Sequence, residues 1–119
     1  MDVYEYPACS TCKKALKWLN DHQLSYQRVH IVDSPPSREV LSAAIDASGL
    51  PIKRFFNTSG QSYRQGGFSE RLPTMSKEEA IDALAADGKL IKRPLVITDG
   101  AARVLVGFKE AEWAEALLP

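Results

Sequence analysis

The sequence holds little that would tie it to a metal, a nucleic acid or a membrane. In 119 residues there are only two cysteines and two histidines, so a four-ligand zinc centre would need all of them. His22 and His30 do not stand at ligand spacing near a cysteine, and zinc is set aside. Fifteen basic and fifteen acidic side chains cancel, which removes any global attraction to nucleic acid or to an anionic bilayer. No uninterrupted apolar run approaches the ~20 residues needed to cross a membrane. The start, Met1-Asp2-Val3-Tyr4-Glu5, lacks the basic residues and the long apolar segment of a secretory signal. Internal repeats, low-complexity tracts and linkers are absent too. The expectation is a cytoplasmic protein with no direct nucleic-acid or membrane partner. In that compartment thiols are kept mostly reduced, so a cysteine pair is more plausibly redox-active than a permanent staple.

What is present is an ordinary globular composition, 45% apolar and 25% charged, in a chain long enough for one domain and too short for two. A single α/β domain over residues 1–119 is expected. Val3 to Tyr6 reads as a short strand that Pro7 ends. Ala15, Leu16 and Leu19 then recur at helical spacing, predicting a helix from about Ser10 to His22. Leu24 to Ile31 is the next strand. Ser37 is a good N-cap for a helix carrying Val40, Leu41, Ala44 and Ile45 on one face, with Gly49 as its stop. Pro51 to Phe56 reads as a short helical turn. The polar stretch Ser62 to Met75 gives only a turn near Ser69 to Leu72. Ser76 and Glu79 form a capping box for a helix that ends at Asp87-Gly88. Leu95 to Thr98, an Asp99-Gly100 turn and Arg103 to Val106 read as a β-hairpin. A closing helix follows from about Lys109 to Leu117. The order βαβ, helices, ββα permits a four-stranded mixed sheet with helices on both faces and a helical insertion over about residues 34–88.

The two cysteines stand three apart, in Cys9-Ser10-Thr11-Cys12, between the first strand and the first helix. In that context a C-x-x-C reads as a thioredoxin-type redox motif. Thiols react as thiolates, and the unpaired N–H groups and partial positive charge of a helix N-terminus favour the thiolate. Cys9 is therefore the candidate nucleophile. Cys12, about one turn inside and more shielded, is the candidate resolving thiol. The competing reading is a pair of inert, small apolar residues.

Four segments carry a resemblance to a known family. They are Tyr6-Pro7-Ala8-Cys9-Ser10-Thr11-Cys12; Phe55-Phe56-Asn57-Thr58-Ser59-Gly60 with Tyr63-Arg64; Ile91-Lys92-Arg93-Pro94-Leu95; and Val106-Gly107-Phe108-Lys109. Together, and in this order, they resemble the glutaredoxin-like arsenate reductase family, which includes the Spx-type regulators. The likeness is greatest to its small bacterial members that carry C-x-x-C. The resemblance implies a thioredoxin-like fold, an active-site Arg93 and a cis peptide bond before Pro94. It also implies catalytic roles for Cys9, Cys12 and Arg93, and substrate contacts from Ser10, Thr11 and Pro94. No bound cofactor is expected. Glutathione, glutaredoxin or thioredoxin is the expected electron donor, and a small thiol or redox protein the expected partner.

Oxyanion-reducing members of that family use further arginines, one in the central segment and one after the final hairpin. Here the central Asn57-Thr58-Ser59 is flanked by Arg54 and Arg64, neither squarely in place, and Lys109 follows the hairpin. Lys92 is expected to point away from Arg93, because neighbours on an extended segment alternate. These departures, with the second thiol at Cys12, move the expected chemistry from arsenate toward thiol–disulfide exchange. Two alternatives stand beside it. One is an Spx-like redox-sensing regulator that binds the RNA polymerase alpha subunit; the other is a relic of the fold with neither activity.

Overall fold

The computed structural model describes residues 1–119, the side chain of Asp99 excepted. Four strands, β1 (Asp2–Glu5), β2 (Gln27–His30), β3 (Leu95–Ile97) and β4 (Val104–Val106), form one sheet in the order β2-β1-β3-β4. β1 is parallel to β2 and antiparallel to β3, and β3 is antiparallel to β4. This is the mixed sheet that the βαβ and ββα halves predict. Helix α1 (Ser10–Asp21) joins β1 to β2, and α6 (Glu110–Leu117) closes the chain. Between β2 and β3 lie α2 (Arg38–Ser48), α3 (Gln61–Gln65), α4 (Phe68–Arg71) and α5 (Lys77–Ala86). Among the described residues, no helix is long and apolar enough to cross a membrane.

The period-two alternation of the strands sorts side chains into two cores. Val3 and Val96 face α1 and α6, packing with Ala15, Trp18, Leu19 and Trp113. Tyr4 and Leu95 face the other way, into a larger core with Leu41, Phe55, Phe56, Leu84 and Ile91. Both sheet faces are therefore covered. The caps are those read from the sequence. Ser37 Oγ accepts the Val40 amide at 3.2 Å, and Gly49 ends α2 in the left-handed region at φ +67°. The Ser76–Glu79 capping box is closed in both directions. The amide of Ser76 holds the Glu79 carboxyl below its usual range.

The structure differs from the sequence reading in places. β2 is shorter than Leu24 to Ile31, because Leu24 and Tyr26 are spent packing into the α1/α6 core before the strand begins. The polar stretch expected to give one turn holds α3, α4 and a 3-10 turn at Leu72–Thr74. Its order comes from contacts distant in sequence: Phe56, Tyr63 and Phe68 cluster with ring centroids 5.7–6.3 Å apart. Local periodicity carries no trace of such a cluster.

One long-range joint ties the segment ahead of β3 to the central segment. The Lys92 amide donates to Phe55 O and the Asn57 amide to Leu90 O, both at 2.8 Å. Gly88 makes this possible at its far end. A β-carbon there would stand 1.9 Å from the Ile31 carbonyl oxygen, a separation no side chain tolerates.

Candidate functional site

The chain leaves β1 and turns back through Pro7 and Ala8, with the Cys9 amide donating to Tyr6 O at 3.0 Å. Cys9 keeps an extended backbone (φ −84°, ψ 116°) and caps α1. Its Sγ accepts the Cys12 amide at 3.2 Å, the place that a serine or aspartate oxygen takes at an ordinary N-cap. The sulfur thus sits on the unpaired N–H groups of a twelve-residue helix, where its positive end is strongest. Both cysteines are free thiols. Cys9 is half-buried, whereas Cys12 is only 1% exposed. Burial pushes the Cys12 thiol up to about 12, helped by its hydrogen bond to Cys9 and by the Cys9 charge, while Arg93 pulls the other way.

The Arg93–Pro94 bond is cis, as the resemblance implies. Arg93 Nη1 donates to Lys89 O at 3.3 Å, and the guanidinium carbon lies 5.1 Å from the centre of the Tyr6 ring. That ring stands edge-on to His30 at 5.6 Å. Arg93 is therefore held between the chain that carries it and the residue that leads into the cysteine loop. Pro94 is buried, and its carbonyl accepts the Gly107 amide at 2.9 Å. Gly107 needs its left-handed conformation (φ +75°) to turn there, and its own carbonyl accepts Trp113 Nε1 at 3.0 Å.

Beside the cysteine loop opens a cleft of about 350 Å³, lined by Thr11, Arg54, Lys92, Arg93, Phe108 and Lys109 among others. Thr11 and Arg93 both line it. Ser10 is exposed in the first turn of α1 and does not line that cleft, and Pro94 is not on its wall. A larger cleft, 410 Å³, lies at the opposite end of β1 among Asp2, Tyr4, Glu39 and Ile97. Neither cleft is lined by a cysteine, but the smaller one takes Thr11 of the cysteine loop into its wall, and the larger one takes no residue of that loop.

Three cations come to the cleft that the sequence reading did not place there. Arg54 lines it because the pairing of Phe55 and Asn57 with the Leu90–Lys92 segment folds the central turn against Arg93. Lys92 lines it as well. Strand alternation does not govern Lys92 and Arg93, since β3 begins only at Leu95. Lys109 lines it from the start of α6. Arg64 does not; its guanidinium donates to Ser59 O at 3.0 Å. The paired Lys53-Arg54 and Lys92-Arg93 were the available signal. Linking them required the long-range joint.

A parallel–antiparallel four-stranded sheet with a cysteine capping its first helix and a cis-proline beside it defines a thioredoxin-like protein. The chain belongs to the ArsC family, whose profile matches residues 4–116. Its similarity to the uncharacterized protein YusI of Bacillus subtilis is 51% identity over 115 residues, 97% of this chain and 96% of that protein. It is 30% identical over 102 residues to an arsenate reductase of Rhizobium meliloti, covering 86% and 71% of the two chains. It is 24% identical over 110 residues to the global transcriptional regulator Spx of Lactiplantibacillus plantarum, covering 92% and 80%. Among solved structures, a Bacteroides fragilis protein related to the ArsC family is 53% identical, with a TM-score of 0.91 over 96% of this chain and 94% of that one.

Proposed function

We propose that this chain is a thiol-dependent oxidoreductase in which Cys9 attacks a disulfide or a small oxyanion and Cys12 resolves the adduct. The observation that carries the reading is the Cys9 sulfur capping α1 at 3.2 Å from the Cys12 amide, in a loop whose Thr11 lines a cationic cleft.

In disulfide exchange, the Cys9 thiolate attacks one sulfur of the substrate. The substrate S–S bond breaks, a mixed disulfide forms and one substrate thiolate leaves. Cys12 then attacks the Cys9 sulfur and gives up its proton. The second substrate thiolate leaves, and two electrons have passed from the protein to the substrate. Burial keeps Cys12 protonated until that moment. Once Cys9 is in a mixed disulfide its negative charge is gone, and with it one of the influences that raise the Cys12 thiol. With arsenate, Cys9 would displace one oxygen as water. Attack of Cys12, or of an external thiol, on the Cys9 sulfur would leave the S–As electron pair on arsenic, reducing it by two electrons. Glutathione, glutaredoxin or thioredoxin would restore the dithiol.

Arg93 is the fixed cation of this scheme, being held by Lys89 O and the Tyr6 face. Thr11 shares the cleft and would contact substrate from the cysteine loop. Arg54, Lys92 and Lys109 add charge, but each is exposed and, among the described residues, unpaired. Loosely held charges stabilise a transition state less than preorganised ones. Disulfides are therefore favoured over arsenate. Assays with each oxidant, supplied with glutathione and a glutaredoxin or thioredoxin system, test the reading. Disulfide reduction that is lost in Cys9→Ala and impaired in Cys12→Ser supports it. Arsenate turnover matching a dedicated reductase, with Cys12→Ser harmless, overturns it.

The similarity to Spx supports a second reading, a redox-sensing regulator that docks on the RNA polymerase alpha subunit. Co-purification with polymerase that depends on the oxidation state of Cys9 and Cys12 would favour that reading.

A further inference from the structure

The cleft beside the cysteines does not stand alone. A second cleft of about 350 Å³ adjoins it, lined by Pro51, Lys53, Arg54, Phe56, Thr58 and Lys92. Arg54 and Lys92 belong to both walls, so the two clefts form one trough. Five cations border it: Lys53, Arg54, Lys92, Arg93 and Lys109. Among the described residues none of the five is in an ion pair. Elsewhere on the molecule, exposed Lys17, Arg38 and Lys77 are each matched to a carboxylate. Lys13, Lys14, Arg64, Arg71, Lys89 and Arg103 also stand outside the ion pairs of the described residues, so what marks the trough is the gathering of five cations along two adjoining clefts, the first of them walled by Thr11 of the cysteine loop.

Resting on the oxidoreductase reading, we infer that this trough selects an acidic polypeptide whose disulfide is presented to Cys9. A single tetrahedral oxyanion fits one cleft and leaves Lys53 without a role. A nucleic acid would match the charge but brings no sulfur for Cys9 to attack. A polypeptide segment provides both a cystine at Cys9 and carboxylates further along the trough. Pro51 and Phe56 give the second cleft an apolar wall that accepts a small side chain between those carboxylates. The redox step is unchanged: the cystine S–S bond breaks, Cys9 takes one sulfur, Cys12 displaces it, and the polypeptide gains two electrons as two thiols.

The test uses three peptides of equal length, each with one cysteine as a 2-pyridyl disulfide, flanked by Asp/Glu, by Asn/Gln or by Lys. Pyridinethione release by the reduced protein is followed at low salt. The acidic peptide is expected to react about tenfold faster than the neutral one and the basic peptide slower still. The differences should shrink at 1 M salt, where screening acts over about 3 Å. Lys53→Glu, at an exposed position, should cut the ratio of acidic to neutral peptide rates severalfold. Equal rates for all three peptides, or a preference indifferent to salt and to Lys53→Glu, overturns the inference while leaving the oxidoreductase intact. No release from any peptide is the separate failure of the oxidoreductase reading, and the inference falls with it.

Discussion

Alkylation of the two thiols at pH 7.5 gives a graded test of how the site is built. The Cys12 thiol, pushed up to about 12, is ionised in roughly three molecules per 10⁵ at that pH. A free cysteine, with a pKa of ~8.5, is ionised in about one in ten. The ionised fraction alone therefore slows Cys12 by roughly 3,000-fold relative to a free thiol. Part of this returns, because a more basic thiolate is a better nucleophile. With a Brønsted slope of ~0.4–0.5, the recovery is roughly 30-fold. The net effect is a slowing of about a hundredfold before access is considered, and Cys12 is only 1% exposed, so reagent must wait for local opening. The assay is timed iodoacetamide labelling with peptide mass mapping, native against unfolded in guanidinium. Cys12 should be slowed at least about a hundredfold in the native protein, and Cys9 should be labelled first. Native labelling of Cys12 within tenfold of its unfolded rate, or ahead of Cys9, would refute this arrangement of burial and helix capping.

Further outcomes rest on the same geometry. The folded Cys12 thiol titrates above its unfolded value, so its stabilisation is complete below about pH 8.5 and is lost as pH rises toward about 12. Unfolding free energies from urea titrations should fall between pH 8 and pH 10.5 by up to roughly 2–3 kcal/mol, and the pH dependence should flatten in Cys12→Ala. Arg93→Ala should lower the rate on a disulfide by about 10- to 100-fold, with the thermal midpoint little changed, because one charge-assisted contact is worth ~1.5–3 kcal/mol. An Arg93→Ala rate equal to wild type would remove Arg93 from the site. Gly88→Ala should cost at least about 1–3 kcal/mol in denaturant unfolding, since its β-carbon meets backbone that cannot rotate away. An unchanged midpoint would show that the Ile31–Gly88 contact is not tight.

The frame of the molecule is legible in local signals. Ser37, Gly49 and the Ser76–Glu79 box bound α2 and α5 where they were read, because caps are made by residues three or four apart. The cysteine loop was legible for the same reason: Cys9 and Cys12 lie one turn apart and make their contact locally. The cationic wall was not. Arg54 comes to the cleft only through the Phe55–Lys92 joint, which pairs residues far apart in sequence, and Lys109 follows a hairpin that is local but gives no sign of which cleft its end faces. Strand alternation does not extend to Lys92, which stands three residues ahead of β3. α3 and α4 are held by the Phe56–Tyr63–Phe68 cluster, for which a stretch broken by Gly66 and Gly67 gives no periodic sign.

The most direct measurement is a redox titration of the purified protein in glutathione buffers, with the Cys9–Cys12 bond read by mass spectrometry after acid quenching. A dithiol oxidoreductase predicts one two-electron transition to an intramolecular disulfide, reversed by added glutathione or thioredoxin. In Cys12→Ser the same titration should stop at a glutathione adduct on Cys9. A pair that stays as two thiols across the series, or that carries glutathione on Cys9 without ever closing on Cys12, would contradict the assignment of Cys12 as the resolving thiol.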